Sequence, residues 1–153
     1  MAAKGAARIE LTDVMAVVAD ASALALDGVI DAAFAGRTAE VETEFSKARA
    51  GGSSPAAIVS AAIRQVSNLH KMKLAVEGGD SIEFAMKRGA PPVHFTREAA
   101  FRQQVSSWPA EKLEEALTHL YEAEALAKTT AVPAEAVAGR ALLSVAAMAR
   151  TGR

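Results

Sequence analysis

Apolar residues recur at every third or fourth position along most of this chain, which is the period of an amphipathic α-helix. Between residues 55 and 76 they fall on two stripes, so a helix there presents apolar side chains to neighbours on more than one side. One stripe contains Val59, Ile63, Val66 and Leu74, and the other contains Ala62, Leu69, Met72 and Val76. No segment alternates apolar and polar residues for long enough to predict a strand. The pattern therefore predicts an all-α protein whose central helix starts at Pro55.

Residues that start and end helices divide this pattern into segments. Ser54 followed by Pro55 is a strong helix start, because a serine oxygen accepts a bond from the first turn and proline suits the first helical position. We expect helices to end at Gly36, Gly51-Gly52, Gly78-Gly79 and Gly89. The further expected starts are Thr12-Asp13, Asp20 or Ser22, Thr38, Asp80 with Glu83 as a capping box, Phe95 or Thr96, Trp108-Pro109 and Pro133. Pro91-Pro92 predicts a break between helices.

These elements predict a compact bundle of about eight helices joined by short loops. Residues 9–153 are expected to form a single domain, because a chain of this length fits one hydrophobic core. Residues 1–8 are expected to be a disordered lead-in or the cut end of an expressed fragment.

Composition narrows the class of protein. The chain has no cysteine, which excludes disulfides, thiolate metal sites and cysteine nucleophiles and suits a cytoplasmic location. Its 17 Lys and Arg residues nearly balance 18 Asp and Glu residues, so it lacks the basic excess of a typical free-standing nucleic-acid binder. No apolar run approaches the roughly 20 residues of a membrane span, and nothing resembles a signal peptide.

Candidate catalytic and metal-binding residues are few. Glu115, His119 and Glu122 share one face of a predicted helix, where they could in principle hold a metal ion, but their acidic and polar neighbours favour a solvated face. His70 and His94 are isolated, and no serine has the spacing of a nucleophile with a histidine and an acid. The double glycines lack the Lys-Ser/Thr of a phosphate-binding loop. We therefore expect neither enzymatic activity nor a metal or cofactor.

Glu124 and Lys128 are a candidate structural pair. Glu124 lies seven residues beyond Leu117, on the apolar side of its helix, and Lys128 follows four residues later in the favourable order. One interpretation is a surface ion pair worth a few tenths of a kcal/mol. The other, which we favour, is a partly buried pair that fixes the helix register or meets a basic group such as Arg64.

The last helix has almost no polar face. Either it is the centre of the domain, or part of it contacts another subunit. Because the other long helices already supply a core, we expect a subunit interface here. Its candidate residues are Val137, Leu142, Leu143 and Met148.

Several short motifs along the chain indicate a family resemblance through their order and spacing. They are Ile9-Glu10-Leu11-Thr12-Asp13-Val14, Gly36-Arg37, Gly52 with Pro55-x-x-Ile58, Ile63-Arg64-Gln65 with Leu69, Pro91-Pro92-x-x-Phe95, Gln104 with Trp108, and Leu113, Leu117, Leu120, Glu122-Ala123-Glu124 and Lys128. None is specific alone. Together they span nearly the whole chain, which resembles the C-terminal collar domain of the bacterial DNA polymerase III delta subunit, the clamp-loader subunit that engages the sliding clamp.

The resemblance implies a fold, a role and a set of partners. The family's delta subunit has two N-terminal domains of AAA+ type before its helical collar, so this chain is expected to be the collar fragment of a longer subunit. The collar is expected to join delta to the motor subunits (gamma/tau) and delta-prime during sliding-clamp loading in DNA replication. The sliding clamp would be bound only through the missing N-terminal region. The parent holoenzyme is a DNA-directed DNA polymerase, but this chain is expected to have no activity of its own.

One loop bears on DNA contact. Residues 129–132 contain no aromatic or basic side chain, so they offer no base-stacking platform and direct DNA contact there is not expected. Two other interpretations stay open: a free-standing helical adaptor or regulatory domain with unrelated protein partners, and a helical metalloenzyme built on the Glu115 face. An AAA+-like region encoded directly before Ile9 would favour the clamp-loader interpretation.

Overall fold

The computed structural model describes residues 24–89, 93–129 and 131–151 of the 153-residue chain. Within these ranges it contains seven α-helices, one short 3-10 helix and no strand, which confirms the predicted all-α class. Helix α1 covers residues 24–34. The following elements are α2 (Thr38–Ala50), α3 (Pro55–Glu77), α4 (Ile82–Arg88), the 3-10 helix (Phe95–Arg97), α5 (Glu98–Ser107), α6 (Ala110–Ala127) and α7 (Ala134–Thr151). The predicted lead-in, the helix after Thr12 and the Pro91-Pro92 break fall outside the described residues.

The double glycines end helices as the sequence predicts. Gly52 after α2 has a φ of +96°, and Gly79 after α3 has a φ of +111°, a region that residues with a side chain rarely adopt. This turn lets the N–H of the next residue reach back into the last helical turn, as where Asp80 donates to the carbonyl oxygen of Ala75 at 3.0 Å. Both helices therefore end in a hydrogen-bonded cap instead of fraying.

Two of the helix starts depend on serine. The Oγ atom of Ser54 accepts a hydrogen bond from the N–H of Ala57 at 3.0 Å, which confirms the predicted start of α3. The prediction that Asp80 caps α4 is wrong: the cap is Ser81, whose Oγ accepts from the N–H of Phe84 at 3.1 Å. Asp80 is displaced from this role because its own backbone N–H closes the end of α3.

Two other starts differ in detail from the prediction. Thr38 is the first residue of α2, and Arg37 occupies the cap position without a side-chain hydrogen bond. Phe95–Arg97 form a 3-10 turn that precedes α5, and the Nδ1 atom of His94 accepts from the backbone at its start. The α-helix itself therefore begins at Glu98.

Helix α3 is the central helix, as predicted. It packs against α4, α5, α6 and α7, and Val59, Ala62, Val66 and Leu69 are fully buried. Leu74 is 51% exposed, so its predicted place on a buried stripe is wrong. The side chains of the described helices meet in one hydrophobic core built mainly from Ala, Val and Leu.

Trp108, just before α6, packs against the end of α1. Its ring is 1% exposed, and its Nε1 atom donates a hydrogen bond of 2.8 Å to the carbonyl oxygen of Phe34 at the end of α1. The rings of Phe34 and Trp108 lie 5.4 Å apart. Helix α6 begins directly after Pro109, as predicted. None of the described helices combines the length and the apolar character that crossing a membrane would need.

Candidate subunit interface on the last helix

Helix α7 is more deeply enclosed than the sequence suggested. It contacts α2, α3 and α6, and Leu142 and Val145 are completely buried between them. Val137 is 8% exposed and packs in the same core. The prediction that Val137 and Leu142 face another subunit is therefore wrong, because neighbouring helices of this chain already cover them.

Part of α7 does remain open. Ala136, Arg140, Leu143 and Ala147 follow one another at helical spacing on its outer side, and we call them the outer strip. Leu143 is partly buried against the core, and the other three are exposed. Met148 is also partly buried but packs beside the strip. Of the predicted interface residues, Leu143 is the one that is partly exposed and also lies on the outer strip.

A groove runs along each side of the outer strip. The groove between α6 and α7 has a volume of about 460 Å³ and includes Ala123, Leu126 and Val132. The groove between α2 and α7 has a volume of about 400 Å³ and includes Phe45 and Leu143. Ala136 and Arg140 line both grooves, so the strip is a ridge between two largely apolar depressions. A helix from another protein could pack against such a ridge.

Charged side chains surround the strip, with Glu122 in the α6–α7 groove and Glu42 in the α2–α7 groove. Arg140 forms no ion pair with any other described residue. The Nε atom of Arg49 on α2 lies 3.2 Å from Oε1 of Glu135 on α7, and both side chains are partly exposed. This exposed pair links α2 and α7 but contributes little to stability. Arg140 is left as the one cation of the strip that a partner's carboxylate could meet.

The structure does not form the predicted Glu124–Lys128 pair. Glu124 is partly buried and Lys128 is exposed, and within the described ranges neither makes an ion pair. Lys128 lies at the C-cap position, where α6 has already ended. Its solvated ammonium group gains too little from a single exposed contact to be held in place.

Of the other candidate residues, His119 and Glu122 line the α6–α7 groove. Glu115, His119 and Glu122 are all exposed on α6, and no group of three potential ligands within the described ranges is placed to hold a metal ion. His70 lies 3.3 Å from Glu114 through its Nε2 atom. His94 caps the 3-10 turn. Absence of catalysis stays a prediction.

A polar cluster inside the fold was not predicted from the sequence. Arg97 donates two hydrogen bonds to Asp31, from Nη2 to Oδ1 at 2.6 Å and from Nε to Oδ2 at 3.2 Å. Its Nη1 atom lies 3.4 Å from Oδ1 of Asp27. Gln104 donates to Asp31 at 3.1 Å and accepts from Gln65 at 2.6 Å. Burial raises the pKa of Asp27, and the nearby guanidinium of Arg97 opposes this shift.

This polar cluster joins segments that are distant in the sequence. Gln65 and Gln104 are 4% and 2% exposed, which is unusual for glutamine and is tolerated because each amide is hydrogen-bonded. The cluster fixes α1 and the turn before α5 against α3. A glutamine at an otherwise apolar helical position is the only sequence signal that could have indicated it.

No family model, curated protein or solved structure matches this chain.

Proposed function

We propose that this chain is an assembly module, the collar domain of a bacterial clamp-loader delta subunit, which joins delta to the motor subunits and delta-prime. The observation that carries the proposal is the outer strip of α7 with a groove on each side. An exposed apolar ridge of this kind is suited to packing against a helix of another protein. The order of the sequence motifs supports the choice of partner.

The motif residues also have coherent places in the fold. Gln65 and Gln104, from two separate motifs, hydrogen-bond to each other in the polar cluster. Trp108 closes the core against the end of α1, next to the Gly36-Arg37 motif. These contacts support the idea that the motifs preserve one architecture and that the outer strip is free to supply the binding surface.

The proposal is tested by placing a charge on the outer strip. Ala136→Glu and Leu143→Glu variants are co-expressed with the motor and delta-prime subunits, with Leu74→Glu as the matched control on an exposed part of α3. We expect the strip variants to lower the recovered complex at least about tenfold, which corresponds to about 1.4 kcal/mol. The control should assemble normally.

Thermal melts separate an interface effect from unfolding. Ala136 is exposed, so its replacement should leave the melting temperature nearly unchanged. Unaltered assembly by both strip variants would contradict the placement of the interface on α7. Failure of the unmodified chain to bind any loader subunit would contradict the proposed function and favour the free-standing adaptor.

A further inference from the structure

Charge is distributed unevenly along this nearly neutral chain. Residues 55–107, which include α3, α4 and α5, contain seven Lys and Arg residues and four Asp and Glu residues, a net charge of +3. Residues 24–54 contain three basic and five acidic residues, and residues 108–151 contain four basic and six acidic residues, so each carries −2. The overall charge therefore conceals a basic region around α3 and α4.

Three of the seven basic residues of this region, together with Asn68, follow a continuous path. Arg64, Asn68 and Lys71 lie on one face of α3, and Arg88 approaches the same face from α4. A cleft of about 250 Å³ includes Arg64 and Asn68, and a groove of about 380 Å³ includes Asn68, Lys71 and Arg88. The two depressions meet at Asn68. We call these four residues the basic track.

Two cations of the basic track are not neutralised within the fold. Arg64 and Lys71 are exposed and form no ion pair with any described residue. Asp27 lines the same cleft as Arg64, but its ion pair is with Arg97. Asp80 lies 3.6 Å from Arg88 in an exposed pair, which is weak in water.

An exposed aromatic ring lies at the end of the basic track. Phe84 on α4 is 52% exposed, and the guanidinium of Arg88 lies 5.8 Å from its ring centroid. Glu83, next to it in sequence, is hydrogen-bonded to Arg102 and so does not compete for Arg88. Cations along a groove together with an accessible aromatic face are the two elements that single-strand binders combine.

We propose that α3 and α4 form a binding surface for single-stranded nucleic acid, in which Arg64, Lys71 and Arg88 contact phosphates and Phe84 stacks on a base. A single strand fits better than a duplex, because only unpaired bases offer a face to an aromatic side chain. The surface is separate from residues 129–132, which contain no aromatic or basic side chain and where DNA contact is not expected. It is also separate from the outer strip of α7, so it does not depend on the proposed assembly role.

The test is fluorescence anisotropy of the full chain with a labelled oligo-dT of about 12 nucleotides, a length in the range of single-strand site sizes. Three phosphate contacts predict a slope near −2 for log K against log salt, at about −0.7 per contact. Lys71→Glu and Arg64→Glu should each weaken binding about tenfold at about 50 mM salt and make the slope shallower. Phe84→Ala should weaken binding at least about fivefold with the slope unchanged.

Lys47→Glu on α2 is the matched charge-reversal control, because Lys47 is exposed and distant in sequence from the basic track. It should change binding by less than about twofold if phosphates contact the track specifically. The proposal is overturned if the chain does not bind oligo-dT, if Lys47→Glu weakens binding as much as Lys71→Glu, or if Phe84→Ala has no effect. Polyglutamate of matched charge serves as a competitor. If it displaces the labelled oligo-dT as well as unlabelled oligo-dT does, the proposal is also overturned and the result indicates an acidic protein partner.

Discussion

At the scale of single residues, the polar cluster joins α1, α3 and α5 through side-chain hydrogen bonds. Arg97 holds Asp31 through two hydrogen bonds, and Gln104 shares the same carboxylate. Removing one member of this partly buried network leaves its partners without hydrogen bonds, which costs more than the net gain from forming it. We infer that the cluster fixes how α1 lies against α3 and α5.

Asp27 gives this cluster a measurable dependence on pH. Burial raises its pKa above the ordinary value of 3.8, although Arg97 pulls in the opposite direction. The folded state therefore binds this proton more tightly than the unfolded state. As the pH rises from the ordinary pKa of aspartate through the folded pKa, the stability of the protein falls, and above the folded pKa it stays at the lower value. An Asp27→Asn variant removes the charge, so we expect it to melt at a higher temperature than the unmodified protein at pH 7.

The advantage of Asp27→Asn should disappear when the pH falls below the ordinary pKa of aspartate, where both proteins are neutral at this position. Thermal melts across the acidic range measure it. Glu42→Gln, at an exposed position on α2, is the control for the loss of one carboxylate. A lower melting temperature for Asp27→Asn at pH 7 would show that the attraction of Arg97 outweighs the cost of burial.

At the scale of helices, local sequence predicted the elements well because their ends depend on a few residues each. The Ser54-Pro55 start and the double glycines act through backbone hydrogen bonds within one turn, which spacing alone can identify. The cap of α4 was mispredicted because Asp80 is used by the preceding helix, a competition between two elements. The polar cluster was missed because its members come from four separate segments.

The open face of α7 was predicted only in part, for a related reason. The sequence shows that α7 is apolar on nearly every side, but it does not show which sides α2, α3 and α6 will cover. Those neighbours bury Leu142 and leave Leu143 partly accessible, although the two residues are adjacent in the chain. Only the packing of the helices decides between core and surface here.

The cap of α3 gives a test at this scale. Ser54→Ala removes the oxygen that accepts from the N–H of Ala57, so we expect the free energy of unfolding to fall by about 1 kcal/mol. Ser60→Ala is the matched control, since the side chain of Ser60 makes no hydrogen bond with a described residue. Urea unfolding of both variants measures the difference. Equal stabilities would mean that α3 is held by packing alone.

At the scale of the whole molecule, two candidate surfaces lie on different helices. The outer strip and its apolar grooves involve α2, α6 and α7, whereas the basic track involves α3 and α4. Helix α3 connects the two surfaces through the core, because it packs against both α4 and α7.

Hydrogen exchange of the chain, alone and mixed with the motor and delta-prime subunits, tests the central claim most directly. We predict that in the complex the peptides of α7 and of residues 41–46 on α2 gain protection. We expect the interior of α3, which is already buried, to exchange slowest in both states. A complex that forms without added protection on α7, or the absence of any complex, would contradict the assignment of this chain as an assembly module that binds through its last helix.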